Sequence, residues 1–128
     1  MKYLFTLTGE IPSKKRAWRI SRNGGMYLEK RIKDWNEAAM WEMKVQRVPV
    51  FTGPVSVRVT LYFKRERDLD NSVTTILDLI QEAGIIRNDR EVVRILAEKH
   101  KVAKGQEPSA TVELSTDFDP RKGLPVEK

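Results

Sequence analysis

The sequence predicts a single small α+β domain with a mixed or antiparallel sheet and two main helices. Three observations carry this reading. Residues 55–63 alternate apolar and polar side chains, as a strand with one buried face does. Residues 29–45 and 72–83 repeat apolar side chains at helical spacing. At 128 residues without a cysteine, the chain has room for one core and no disulfide to staple a second.

The elements follow in order. Tyr3, Phe5 and Leu7 share one face of a first strand over 3–8. Pro12 breaks it. Asn23-Gly24-Gly25 is a turn signal, so 17–22 and 26–28 form a short hairpin. The first helix buries Ile32, Trp35, Ala39 and Met43, with Ala38 and Val45 widening the stripe. Trp35 and Trp41 are read as core or interface residues. Thr52-Gly53-Pro54 marks a loop before the main strand, which Lys64 to Arg67 end with charge. The second helix carries Val73, Ile76, Leu77 and Ile80, with Asp70 or Asn71 as its cap and Gly84 as its stop. Residues 92–102 read as a strand on their β-branched Val92, Val93 and Ile95. A turn at 104–108 leads to a last strand through Ala110, Val112 and Leu114. The domain is expected over 1–116, with a loose tail over 117–128.

Composition narrows the chemistry. With no cysteine and one histidine, a metal would have to be held by oxygen, which points to magnesium, manganese or calcium. No apolar run spans a bilayer, and the start is too short and polar for a signal peptide, so the cytoplasm is the expected compartment and no membrane partner is expected. The formal charge of +6 is concentrated. Between Ser13 and Lys33 lie Lys14, Lys15, Arg16, Arg19, Arg22, Lys30, Arg31 and Lys33, opposed only by Glu29. That block carries +7, so the rest of the chain sums to −1. Such a block attracts a polyanion by displacing its counterions, which makes these eight residues the expected polyanion-binding set; the competing reading is a solvated basic loop.

The focus of chemistry is Arg67-Asp68-Leu69-Asp70-Asn71, between the main strand and the second helix. In extended chain, Asp68 and Asp70 leave the same side, roughly 7 Å apart. Two such carboxylates repel unless a hard cation sits between them. Asp-x-Asp is also what a loop and a helix cap look like, with no metal. A third carboxylate, Asp89, follows Gly84 by five residues. The helix between is about 18 Å long, and five extended residues span roughly 17 Å, so Asp89 could reach back to the pair by running beside the helix.

Asp68-Leu69-Asp70-Asn71, then Asp78-Leu79-Ile80, then Gly84-Ile85-Ile86 and Asn88-Asp89 resembles the RusA family of Holliday-junction resolvases. That family carries D-x-D-N entering a helix, an Asp-led apolar stretch near the helix end, and a glycine-led apolar element ending in aspartates. The basic Pro12-Ser13-Lys14-Lys15-Arg16 and the run from Val92 to Gly105 are similar to the family more loosely. The resemblance implies a RusA-like fold and a homodimer that cuts four-way DNA junctions by paired, symmetric, magnesium-dependent nicks, in recombination and repair. Manganese would substitute, and no small-molecule cofactor is implied. By motif position Asp68, Asp70 and Asp89 match the catalytic, metal-holding aspartates. Asn88 stands where many members have another aspartate. Thr74 stands where the family signature has a lysine, and threonine supplies no charge. Arg67 and Lys99 are the expected substitutes.

Other residues are read against the same frame. Glu10 and Glu91 are solvated charges or assistants to the site. Trp18 and Tyr27 pack in the core or a turn, or else stack on exposed bases. His100 faces water from a strand. Two competing functions stay open: a catalytically weakened or inactive junction-binding protein on the same fold, and a basic adaptor for RNA or single strands.

Overall fold

A computed structural model describes residues 1–12, 18–20, 22, 24, 26–28, 30–118 and 120, with 18–20 and 26–28 given by their backbone. Its elements in chain order are β1 (Lys2–Thr8), β2 (Trp18–Ile20), β3 (Met26–Leu28), α1 (Lys30–Val45), β4 (Val55–Phe63), α2 (Leu69–Glu82), β5 (Val92–Lys101) and β6 (Ser109–Ser115). A one-turn 3₁₀ helix, Asp89–Glu91, leads into β5.

The sheet is mixed, in the order β1-β6-β4-β5. β6 runs antiparallel to both β1 and β4, whereas β4 and β5 are parallel, joined by α2 as the crossover. β2 and β3 pair as a separate hairpin, as the turn signal predicts, and Gly24 takes the positive φ of 81° that such a turn needs.

Alternation along β4 puts Val55, Val57, Val59, Leu61 and Phe63 on the buried face. The first four meet Ala39 and Met43 of α1 and Val73, Ile76, Leu79 and Ile80 of α2 in one core with Phe5, Leu7, Val112 and Leu114. The domain is thus two layers, helices on one sheet face. The stripe of α1 is narrower than predicted. Ala38 and Val45 are exposed, and Trp41 is 66% exposed, because α1 covers the sheet with the Ile32–Asn36–Ala39–Met43 line, flanked by the half-buried Trp35 and Met40. Contacts of Thr116 and Phe118 tie the end of β6 to the sheet. Thr116 N–H donates to the Met1 carbonyl (2.9 Å), and the Phe118 ring lies 4.3 Å beneath the Arg94 guanidinium. Residues 119 and 121–128 lie outside the described residues.

The two sheet edges differ. The outer edge of β1 is closed by the end of α1. The side-chain amide of Gln46 takes both the N–H and the carbonyl of Thr6 (2.8 and 2.7 Å), and the Glu42 carboxylate accepts from Thr8 N–H (3.2 Å). The outer edge of β5 has no such cover among the described residues.

Both helices end in the same six-residue turn. After α2, Gly84 N–H donates to the Gln81 carbonyl and Ile85 N–H to that of Ile80, both at 3.0 Å, with Gly84 at φ 75°. After α1, Arg47 N–H donates to Lys44 and Val48 N–H to Met43 (3.0 and 3.1 Å), but the left-handed position is held by Arg47 at φ 56°. A side chain there is strained by about 1 kcal/mol. Arg47→Gly is therefore expected to raise the unfolding free energy by several tenths to about 1 kcal/mol, and Gly84→Ala to lower it by about 1 kcal/mol. Urea denaturation of the two variants checks this; the same sign in both would refute the shared-turn account.

Candidate active site

β4 delivers the chain at Phe63 to one end of the sheet, and residues 64–68 carry it to α2. Asp68 is the N-cap, with extended backbone (φ −72°, ψ 122°). Its carbonyl accepts from Ser72 N–H and Ser72 Oγ, each at 3.1 Å. Its carboxylate makes no capping bond and instead accepts from Asn71 Nδ2 (3.1 Å). Asp70 sits in the first turn, where the helix dipole favours a negative charge. The helix starts at Leu69, not Ser72, and the cap is Asp68, not Asp70 or Asn71. The expected extended Asp-x-Asp pair is corrected accordingly: the two carboxylates lie at one helix end, exposed, on a cap and a first-turn position. Asp68 lines a shallow cleft of about 180 Å³ with Ile11, Glu66, Arg67, Asn71 and Ser72; Asp70 is not among its lining residues.

Asp89 lies at the other end of the domain. β5 runs parallel to β4 with Val92 beside Val55 and Lys101 beside Phe63. Asp89, just before Val92, is therefore at the start of β4, whereas Asp68 follows its finish. The 14-residue α2 separates them by about 21 Å. Phe51 N–H donates to the Ile85 carbonyl (2.7 Å), and Ile85 and Ile86 are buried, so the chain after Gly84 stays at the helix end. The expected return beside the helix does not occur. Among the described residues no group of three or more His, Asp or Glu side chains is placed to hold a metal ion. Within one chain the three aspartates do not meet.

Around Asp89 the turn is well built. Asn88 Oδ1 accepts from Arg90 N–H (2.9 Å), capping the 3₁₀ helix. Glu91 is not the solvated charge that the sequence suggests. One oxygen pairs with Arg87 (3.1 Å); the other, Oε2, is buried with no hydrogen-bond partner among the described residues. A buried, unpaired carboxylate oxygen is costly, and a cation or donor beside Asp89 would relieve it.

Glu10 is a second residue whose role the sequence hides. Its Oε1 accepts from the backbone N–H groups of Lys64 and Arg65 (2.9 Å each), and its Oε2 from Arg67 Nε (3.2 Å). Burial pushes its carboxyl up. The backbone donors of Arg65 and Lys64 and the Arg67 guanidinium outweigh that and hold it below its ordinary value. On the other side of the same loop, Lys99 Nζ donates to the Arg67 carbonyl (2.8 Å) and pairs with Glu66. Of the two cations expected to replace a lysine at 74, Arg67 is committed to Glu10, and Lys99 stands against the carbonyl that precedes Asp68. Thr74 donates its hydroxyl to the Asp70 carbonyl (3.0 Å), an ordinary helical bond.

The basic block is described in part. Lys30, Arg31 and Lys33 are exposed on the first turn of α1, and Arg22 is exposed before β3. Arg19 is on β2. Lys14, Lys15 and Arg16 lie outside the described residues, as do the side chains of Arg19, Trp18 and Tyr27. The first turn of α1 has no acidic residue, so its cations oppose the helix dipole. His100 lies on β5 and stacks on Tyr62, with ring centroids 5.9 Å apart.

Two comparisons bear on this site. The family model for Endodeoxyribonuclease RusA matches residues 9–115. A protein of Aquifex aeolicus (strain VF5), Crossover junction endodeoxyribonuclease RusA, is 30% identical over 100 residues, covering 76% of this chain and 78% of the relative.

The Glu10 clamp has a pH signature. Its folded carboxyl is depressed, so its contribution is complete above the ordinary value of 4.5 and is lost as pH falls through the folded value. Glu10→Gln is expected to lower stability by about 1 kcal/mol at neutral pH. The gap between wild type and variant should be flat above about pH 5 and close in the acid range. Thermal unfolding from pH 7 to pH 3 checks it; a gap that widens in acid would exclude the clamp.

Proposed function

The chain belongs to the RusA endodeoxyribonuclease family, and from that premise we propose that it is a homodimeric, magnesium-dependent nuclease that cuts four-way DNA junctions by paired nicks. The observation that carries the two-chain form of this reading is the separation of Asp89 from Asp68 and Asp70. A family site built on all three needs a second copy, in which the partner's Asp89 meets Asp68 and Asp70. A two-fold dimer then offers two equivalent sites to two equivalent strands of a junction.

The donor set fits a hard divalent cation, since every available group is a carboxylate oxygen. Asp68 and Asp70, with the partner's Asp89, would hold it; when bound, it polarises the scissile phosphate and lowers the pKa of a water. The chain's own residues do the rest. Glu10 and Lys99 fix the loop that aims Asp68. Lys99, which donates to the carbonyl preceding Asp68, would supply the cation in the role that Thr74 cannot fill. Lys30, Arg31 and Lys33, with Arg22 and Arg19, grip phosphates and orient the junction by shape. Lys14, Lys15 and Arg16 extend the same block in sequence.

A weaker nuclease, or a binder without cleavage, is the second reading. The observation that favours it is the Thr74 hydroxyl, uncharged and tied to the Asp70 carbonyl.

Cleavage of a synthetic four-way junction decides between them. Wild type with magnesium is expected to nick, and wild type without a divalent ion, Asp70→Asn and Asp89→Asn are each expected to bind without nicking. Binding without nicks by wild type under magnesium and manganese would leave only the second reading. Mixing Asp70→Asn with Asp89→Asn tests the shared site. Mixed dimers would hold one intact site, so single nicks should return; no recovery would place the site within one chain. Lys30→Glu should stabilise the fold by about 0.5 kcal/mol, since it removes a cation from a helix N-terminus, yet weaken DNA binding and reduce its salt slope by about 1.

A further inference from the structure

We infer that the groove between the C-terminal halves of α1 and α2 is a docking site for a different protein, which fills it with a short amphipathic helix carrying apolar and cationic side chains. The inference goes beyond the nuclease reading and does not depend on it.

The sequence marks this surface. Ala38, Trp41 and Val45 continue the apolar pattern of α1, yet the sheet leaves all three exposed, Trp41 at 66% and Val45 at 65%. The helix therefore carries two apolar lines, one against the core and one facing outward. Beside the outward line, α1 and α2 part over a groove of about 530 Å³. Met40, Met43, Val48, Ala83 and Ile85 give it an apolar lining, and Trp41 stands at its border. A second groove, lined by Val45, Thr6 and Thr8, lies against the same indole. Single exposed apolar side chains are ordinary, but a tryptophan beside an apolar cleft forms a patch, and patches mark contact surfaces. The volume falls in the range of about 300–1,000 Å³ over which clefts hold a guest. Methionines adapt to an incoming side chain, and tryptophan is the residue on which protein contacts most often turn.

Charge selects the guest. The chain as a whole is +6, but this groove is lined with the opposite sign. Glu37 and Glu82 line it and Glu42 lines the groove next to it, against Lys44 alone among the described lining residues. Both helices end here, so the partial negative charge of two helix C-termini adds to the carboxylates. The last turn of α2 has no basic residue to offset it. Such a surface repels DNA and anionic lipid alike. The cations suited to phosphate begin at Lys30, roughly 16 Å along α1 from Trp41. A second copy of this chain is disfavoured too. A two-fold contact through this face would set Glu37 and Glu82 against the same residues of the other copy. What satisfies both the apolar lining and the negative rim is a helix that lays Leu- or Met-sized side chains into the groove, with Lys or Arg on its flanks.

The probes are two synthetic amphipathic peptides with identical leucine positions, one flanked by lysines and the other by glutamates. Each is titrated into the full-length, isotope-labelled protein, with calorimetry and backbone amide shifts as readouts. The lysine peptide is expected to bind at least about tenfold more tightly than the glutamate peptide, and to shift the amides of residues 37–45 and 82–85. Trp41→Ala should weaken the lysine peptide by about tenfold. Glu37→Lys combined with Glu82→Lys should reverse the preference between the two peptides. All three positions are exposed, so the variants should keep the wild-type circular dichroism spectrum. Equal binding of the two peptides, shifts that map to another surface, or a Trp41→Ala protein that binds like wild type would each overturn the inference. Sedimentation and DNA binding separate the other occupants. A Trp41→Ala protein that loses self-association assigns the groove to a second copy, and one that keeps its fold but loses junction binding assigns it to nucleic acid; either result overturns the inference. Unchanged association and junction binding, with the lysine peptide lost, support it.

Discussion

The loop over 64–68 is where the domain is pinned, and the pin is a half-buried carboxylate. Glu10 gathers two backbone N–H groups and a guanidinium onto one side of the loop, and Lys99 holds its carbonyl side. The loop has no regular structure of its own, so its backbone groups need partners from elsewhere. It receives them from the segment after β1 and from β5, elements far apart in sequence. Charge-assisted bonds of this kind are stronger and more directional than neutral ones. The direction in which Asp68 leaves the sheet is set by them, and with it the entry of α2.

Much of this architecture is legible in the chain. The alternation of β4 and the apolar spacing of α2 are readable because each element faces one layer only, so a local pattern reports burial. Gly84 is readable because a left-handed helix stop has a chemical preference. What escapes is whatever depends on distance in sequence. Nothing near Glu10 announces partners that lie 54 to 57 residues on. Glu91 looks like any charged residue before a strand, although its Oε2 is buried. Ala38 and Val45 fit a wide helical stripe, but only tertiary packing says how much of it the sheet covers. The start of α2 was hidden because Asp, Leu and Asn are as common in caps as in first turns. Asp89 shows the limit most clearly. Chain length permits its return to Asp68, and the parallel pairing of β5 with β4 forbids it.

The first turn of α1 shows a different tension. Lys30, Arg31 and Lys33 oppose the local dipole, and the first turn itself carries no acidic residue. Each such placement is unfavourable by some tenths of a kcal/mol. A fold optimised for stability alone would carry the opposite charge there. A surface that must meet phosphates would carry this one, since backbone N–H groups and ammonium groups then act together.

The parallel crossover from β4 through α2 to β5 has a consequence for when chemistry is possible. It sends the two halves of one contiguous sequence motif to opposite poles of the domain. On the shared-site reading proposed above, a newly made chain would not cut until it found another. With composite sites, activity at low expression would rise roughly as the square of chain abundance rather than in proportion to it. A few stray copies would leave DNA untouched, while a burst of synthesis would switch cutting on steeply.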